Sequence, residues 1–506
     1  MVRDHDRDKK RSHHEQQHDL VESPYLPRGP HRGSSIATRP RDRPAFYNLS
    51  VAAGFQFEHS VAFSQDAPAD LLRQIPASPG ILSLCGPRPT DEPYLTRTAD
   101  LRRRATRLLA PPELSKRLNL RTRVAHIDWT PTGSDFEALL ILYRATAHAF
   151  GYPEARRRLR LHTPFCLRFT TENAHPRLYV TNRLSKRGIA QTYGPFPSRA
   201  AAERYADAVL DLFKLRRCHE DLVPYPEHPG CVYQEMKMCL APCNHACTPA
   251  EYAAESAAVQ AFLDTRGDSM LTPLATQREQ ASEDMDFERA AQLHAQWSKV
   301  KAAATQADDL IRQIPQLRAV IVQKSADPTD RLEANVFLLD RACLAGPQSL
   351  STLGVRAVKE QTSVGSSLFA QPLMLQAIPL EGPEAAPQTP AESPELRARA
   401  VLDRLEAETG EENDLAMLSD HLSLLRRWYY RPEKQRTGEI FFPNDDASWP
   451  IRRILRGAAR MALGDPAPMA ETQRDQAPAA KVKILHEGRE GVERTVPVIA
   501  KPRRRP

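Results

Sequence analysis

Four cysteines crowd one segment of this chain. Cys218, Cys231, Cys239 and Cys243 follow the spacing C-x12-C-x7-C-x3-C, and Cys247 stands four residues further on. What such a cluster means depends on the redox compartment. No stretch reaches the roughly 18 apolar residues of a transmembrane helix, and no apolar run follows the charged N-terminus as a secretory signal requires. The sequence therefore predicts a cytoplasmic protein, with no membrane association, whose eight cysteines are reduced. The cluster then reads as a ligand set and not as a disulfide framework. Thiolate sulfur suits either a [4Fe–4S] cluster or tetrahedral zinc, and spacing alone does not separate them. A four-ligand site leaves one of Cys243 and Cys247 spare.

The flanks carry helix signals. In TPAE (248–251) Thr248 caps, Pro249 fits the first turn and Glu251 reaches back, which starts a helix running to about 265. Residues 269–303 read as two helices broken near Glu283–Asp286, with Asp286 capping the second. Phe287, Ala290, Ala291 and His294 share one face of that helix. Upstream, GILSL (80–84), VAHIDWTP (124–131) and RLYVTNR (177–183) read as strands, and LRRRATRLL (101–109) and DFEALLILYRATAHAF (135–150) as helices. The second of these has Ser134 as N-cap and an apolar stripe of Phe136, Leu139, Leu140, Tyr143 and Ala147 for packing on a sheet. A further helix lies within 196–215, with Ser198 as its N-cap. Downstream, RAVIVQK and ANVFLLD read as strands, and 396–410, 414–430 and 449–463 as helices.

The expected class is α/β, divided into modules. A small α/β domain covers 75–160, a Cys-rich helical segment 175–265, and a helical hairpin 269–303. A separate α+β C-terminal region of unassigned role covers 317–464, crossed by a Pro-rich linker at 381–395. The basic, Pro-rich ends, 1–45 and 465–506, show no helix or strand period and read as disordered tails. A formal charge of +7 and a pI near 9.0 suit a phosphate-rich partner, and equally a basic soluble protein with no such partner. The run SDHLSLLRRWYYRPEKQRTGEIFF (419–442) mixes basic and aromatic residues, so it either meets nucleic acid or forms a packed helix followed by a strand.

Taken in order, these segments resemble the UvrC excinuclease family, the incision nucleases of bacterial nucleotide excision repair. The resemblance runs from PGIL through YLTRTADLRRR (94–104), FEALL (136–140), HPRLYVTNR (175–183), YGPF (193–196) and LRRC…CVYQEMKMCLAPC to DFERAA (286–291). It implies a GIY-YIG-like nuclease domain over 75–160, with Tyr94 and Arg104 as catalytic residues beside Glu137. It makes Glu137 the ligand of one Mg²⁺ or Mn²⁺, and gives Arg97, Arg102 and Arg103 to DNA. It implies that Cys218, Cys231, Cys239 and Cys243 hold a [4Fe–4S] cluster, with Zn²⁺ as the alternative. It also implies a UVR hairpin whose Phe287, Glu288 and Ala291 meet a UvrB-like protein.

The chain departs from that family at several points. The first motif tyrosine is Leu82, which has no hydroxyl, and the glycine of the second triplet is Thr96. The asparagine that follows the glutamate helix is missing, with Arg156 near its place. In 306–506 neither a ribonuclease-H-like set of carboxylates nor paired helix-hairpin-helix motifs occur, so the family's 5′ incision is expected to be absent. The expectation is a DNA-binding repair protein that is either a weakened endonuclease or a catalytically inactive adaptor.

Overall fold

The run GILSLC is buried over nearly its whole length, and the N-terminal layer is built around it. The computed structural model describes residues 55–64, 68–88, 90–111, 118–219, 222–327, 332–355, 393–409, 414–432, 435–464, 481–483 and 495–497. The first layer comprises β1 (His59–Ala62), α1 (Pro68–Gln74), β2 (Gly80–Cys85), β3 (Tyr94–Thr98), α2 (Leu101–Leu108), β4 (His126–Pro131), α3 (Asp135–Phe150) and α4 (Tyr152–Arg158). The strands form an antiparallel sheet in the order β1-β4-β2-β3. Side chains alternate across a strand. Leu82 and Leu84 therefore pack with Leu101, Ala105 and Leu108 of α2, while Ile81 packs with Ala138 and Ile141 of α3. A Cβ on Gly80 would lie 2.5 Å from the Thr130 carbonyl, so this position admits only glycine. Asp100 and Ser134 cap α2 and α3 through the amides of Arg103 and Glu137.

The middle layer contains β5 (Cys166–Phe169), β6 (Leu178–Thr181), β7 (Thr192–Gly194), α5 (Arg199–Leu210), α6 (Val232–Glu235), α7 (Pro249–Asp264), α8 (Asp268–Glu283), α9 (Phe287–Ala304) and β8 (Arg312–Gln313). Its sheet runs β6-β5-β7-β8. The expected Thr248–Glu251 capping box opens α7, with both reciprocal bonds made. The core joins Phe169, Tyr193, Tyr205, Tyr252 and Phe262 to Val300, Ala303 and Ala304 at the end of α9. The α8–α9 hairpin is thus rooted in this layer at one end only.

The C-terminal layer has β9 (Ala319–Lys324), β10 (Glu333–Asp340), β11 (Cys343–Ser351), α10 (Pro394–Glu408), α11 (Leu415–Tyr429), β12 (Glu439–Phe441) and α12 (Ile451–Leu463). The sheet order is β11-β10-β9-β12. One face carries α10 and α12. The other carries α11 together with α3 of the first layer, through Phe136, Leu140 and Tyr143. The region expected to stand apart therefore shares a core with the N-terminal layer. Helix α11 joins all three layers: Tyr143 donates to Asp420 (3.2 Å), Arg426 to the Pro197 carbonyl (2.7 Å), and Tyr430 just beyond it to the Pro195 carbonyl (2.9 Å).

The run 419–442 takes its packed reading, as Leu422, Leu424, Leu425 and Trp428 are all core residues. Helix α10 begins at Pro394 with Ser393 as its cap, inside the expected linker; residues 381–392 lie outside the described residues, as does the 1–45 tail. Of the 465–506 tail the described residues are β13 (Lys481–Lys483) and β14 (Thr495–Pro497), which pair antiparallel and so are not without structure. No described helix is long and apolar enough to cross a membrane.

Candidate functional sites

The first candidate site is the set Tyr94, Arg104 and Glu137. Residues directly opposite one another in a sheet share a face. Tyr94 lies opposite Leu84, and Thr96 opposite Leu82, so all four point toward α2. There Arg104 Nη2 donates to the Tyr94 hydroxyl at 2.5 Å. Leu82 is fully buried. One residue along each strand the face reverses. Arg97, opposite Ile81, points toward α3 and pairs with Asp135 at 3.1 Å.

Glu137 stands on that second side. Its carboxylate accepts from the Gly133 amide (2.8 Å) and from Asn335 Nδ2 of β10 (2.8 Å), and the residue is 2 % exposed. Burial pushes its carboxyl up to about 7; the two hydrogen bonds oppose that rise and nearby Glu58 adds to it. The structure thus brings Tyr94 and Arg104 together and holds Glu137 across the sheet from them. With both oxygens engaged by N–H donors in a dry interface, this carboxylate does not fit a catalytic Mg²⁺ or Mn²⁺, which needs open oxygen ligands.

The remaining arginines are mostly structural. Arg102 donates to the carbonyls of Ile75 (2.8 Å) and Arg73 (3.1 Å), while Arg103 is exposed. Arg156 binds Thr163 (2.8 Å) and Ser419 (3.0 Å) and pairs with buried Asp420 (3.3 Å), which fastens α4 to α11.

The second candidate site is the cysteine segment. Cys218, Cys231, Cys239 and Cys243 line one small cavity, together with Arg216, Arg217 and Tyr233. Cys247 is not among the lining residues and packs instead against the apolar core. The Ala241 amide donates to Cys239 Sγ at 3.3 Å, and Arg216 Nη1 to Cys218 Sγ at 3.7 Å. Burial pushes the Cys239 thiol up to about 11; the Ala241 amide opposes this, and the three neighbouring cysteines add to it. Thiols that hinder one another's ionisation are suited to a cationic group that takes up their charge. A cavity lined by four cysteines suits a [4Fe–4S] cluster or a tetrahedral zinc.

The third candidate site is the free end of the α8–α9 hairpin. Asp286 caps α9 through the Arg289 amide at 3.0 Å, as its position predicts. Beside the cap, Phe287 is 69 % and Met285 77 % exposed. Glu288 and Ala291 are exposed on the same tip. Deeper in, Leu293 and Ala281 are buried, and Trp297 sits against Lys301, Arg278 and His294. The hairpin is therefore secured at its base and presents two large apolar side chains at its tip.

Sequence reasoning missed Asn335 and Arg216. Nothing local marks Asn335, which lies 198 positions from the glutamate it binds. Arg216 stands two residues before the first cysteine of the cluster, so its adjacency to that cysteine was the available signal.

Residues 165–262 match the UvrC/Cho excinuclease middle domain, and residues 268–303 match the UvrB/uvrC motif. The chain is similar to the UvrABC system protein C of Idiomarina loihiensis, 30 % identical over 226 residues, which is 44 % of this chain and 36 % of that protein. It is similar to the protein of the same name from Desulforudis audaxviator, 27 % identical over 235 residues, or 46 % of this chain and 37 % of that one. For Ruminiclostridium cellulolyticum the identity is 32 % over 173 residues, covering 33 % and 27 % of the two chains. The chain therefore spans about a third of the length of these curated relatives. No solved structure gives a significant match.

Proposed function

This chain is UvrC-like, and on that premise we propose that it serves bacterial nucleotide excision repair as an adaptor that does not itself cut DNA. It docks a UvrB-like partner through the tip of the α8–α9 hairpin and meets DNA in that complex. The observation that carries the proposal is the exposed pair Met285 and Phe287, on a hairpin whose other end is fixed in a core. A two-helix hairpin buries only one side of each helix against its mate, so an apolar tip is stabilised when a like hairpin covers it.

The α/β layer supports the non-cutting half of the proposal. A one-metal nuclease needs its phosphate-binding arginine, its activating hydroxyl and its metal carboxylate around one phosphate. Here a β-sheet lies between the first two and the third. Tyr94 and Arg104 retain the means to hold a phosphate oxygen, without a metal beside them.

The cysteine cavity takes a [4Fe–4S] cluster in this reading. The support is the convergence of four thiols on one space, with N–H donors on two of the sulfurs. Such a cluster would cross-link the stretch from Cys218 to Cys243, which among its described residues contains the four-residue α6 and the start of a 3₁₀ turn.

Titration of the full chain against a purified UvrB-like protein tests the docking. Phe287→Ala is expected to weaken binding at least tenfold while leaving the thermal midpoint unchanged. Equal affinity for the two forms would remove the docking site.

A further inference from the structure

We infer that Arg216 sets the reduction potential of the cysteine-bound cluster. The inference rests on the cluster reading above. Arg216 is only 4 % exposed, and its position is fixed from two directions. Its Nε donates to the His175 carbonyl at 3.0 Å, and its backbone amide donates to the Tyr252 hydroxyl at 3.1 Å. Tyr252 in turn donates to the Pro176 carbonyl at 2.8 Å. Held this way, Arg216 turns Nη1 to Cys218 Sγ at 3.7 Å and lines the cavity that the four thiols share.

Arg217 lines the same cavity, with its Nη2 paired with Asp211 at 2.7 Å. The cysteines differ in access. Cys231 is exposed, whereas Cys218, the sulfur that Arg216 meets, is half-buried. One edge of the site is thus open to a solution reductant, while the cation sits at an inner edge, where water screens it least.

A four-thiolate [4Fe–4S]²⁺ unit carries a net charge of −2, and taking up one electron brings it to −3. A fixed cation favours the more negative state, and an N–H directed at a ligand sulfur acts in the same direction. Arg216 therefore raises the midpoint potential. Its role is positional and electrostatic, and it is not itself a ligand.

The test is an optical and EPR titration of the full chain with dithionite and mediators, after iron analysis. Arg216→Gln is expected to lower the midpoint so that the reduced-to-oxidised ratio at a fixed poise falls at least tenfold, about 59 mV for one electron. Arg216→Lys keeps the charge and should recover most of that loss. Wild-type protein with four irons and an unchanged midpoint in Arg216→Gln overturns the inference alone. Wild-type protein with zinc and no iron overturns the cluster reading, and the inference with it. Should Arg216→Gln fail to fold, as circular dichroism would show, Arg216→Lys decides: a near-native midpoint supports the charge argument, and a tenfold loss overturns it.

Discussion

Two regions of this molecule carry residue sets that the sequence reading groups as sites, and they differ in what folding does with them. In the cysteine segment, residues spread from 218 to 243 come to line a single cavity. In the α/β layer, residues at 94, 104 and 137 are divided by the sheet they belong to, with Glu137 turned to Gly133 and Asn335. Keeping the residue types of a site is therefore a weaker condition than keeping their faces. Ligand spacing in a loop is enforced by the group the loop holds. A side chain's face on a strand or helix is enforced by packing, and packing serves whatever core is present. Here the core includes a C-terminal layer that occupies the outer side of α3.

Removing one cysteine should break this contrast most severely. Cys239→Ala is expected to lose bound iron and to destabilise the middle layer by several kcal/mol, because metal affinity is folding free energy in such segments. Iron content and the unfolding midpoint check this together. Cys247→Ala, which removes the thiol outside the cavity, should keep its iron.

The next largest effect concerns Glu137. Its carboxyl is raised in the folded state from about 4.5 to about 7. Below pH 4.5 it is protonated in both states and costs nothing. Between pH 4.5 and 7 the unfolded chain ionises first, so stability falls as pH rises, levelling off above 7. The difference corresponds to about 3 kcal/mol. Glu137→Gln should abolish that pH dependence and be the more stable form at pH 8, as chemical denaturation at several pH values would show. A glutamate held for metal catalysis would give the opposite result, with lost activity as the main consequence.

The Phe287→Ala loss of at least tenfold in partner affinity, about 1.4 kcal/mol, comes third. The smallest effect belongs to Tyr94→Phe. It removes the hydroxyl that accepts from Arg104 on a half-buried edge strand, and should reduce stability by about 1 kcal/mol or less. Thermal unfolding reads that change.

Much of the local structure was legible in the sequence. Ser134, Ser198, Thr248 and Asp286 all cap the helices they precede, because a cap is decided within four residues. The helix break at 284–286 and the strand GILSL were legible for the same reason. The division of the nuclease-like residues lay partly in plain sight, since Arg97 and Tyr94 differ by an odd number and must take opposite faces. The far side of α3 was not legible. Its stripe of Phe136, Leu140 and Tyr143 shows that something packs there, while the partners Phe337, Leu422 and Trp428 come from much later in the chain. No periodicity connects such distant segments, and the buried Tyr143–Asp420 bond, 277 positions apart, has no local trace. The hairpin tip was legible as a helix face, but its exposure depended on which end of the hairpin the core would hold.

Nicking of supercoiled plasmid by the full chain with Mn²⁺ tests the central claim most directly, comparing the wild type with Glu137→Gln. The account predicts no cleavage above background for either protein, with UvrB-like binding intact in both. Wild-type nicking that disappears in a folded Glu137→Gln variant would contradict it, and would place Glu137 back beside Tyr94 and Arg104 in a working site.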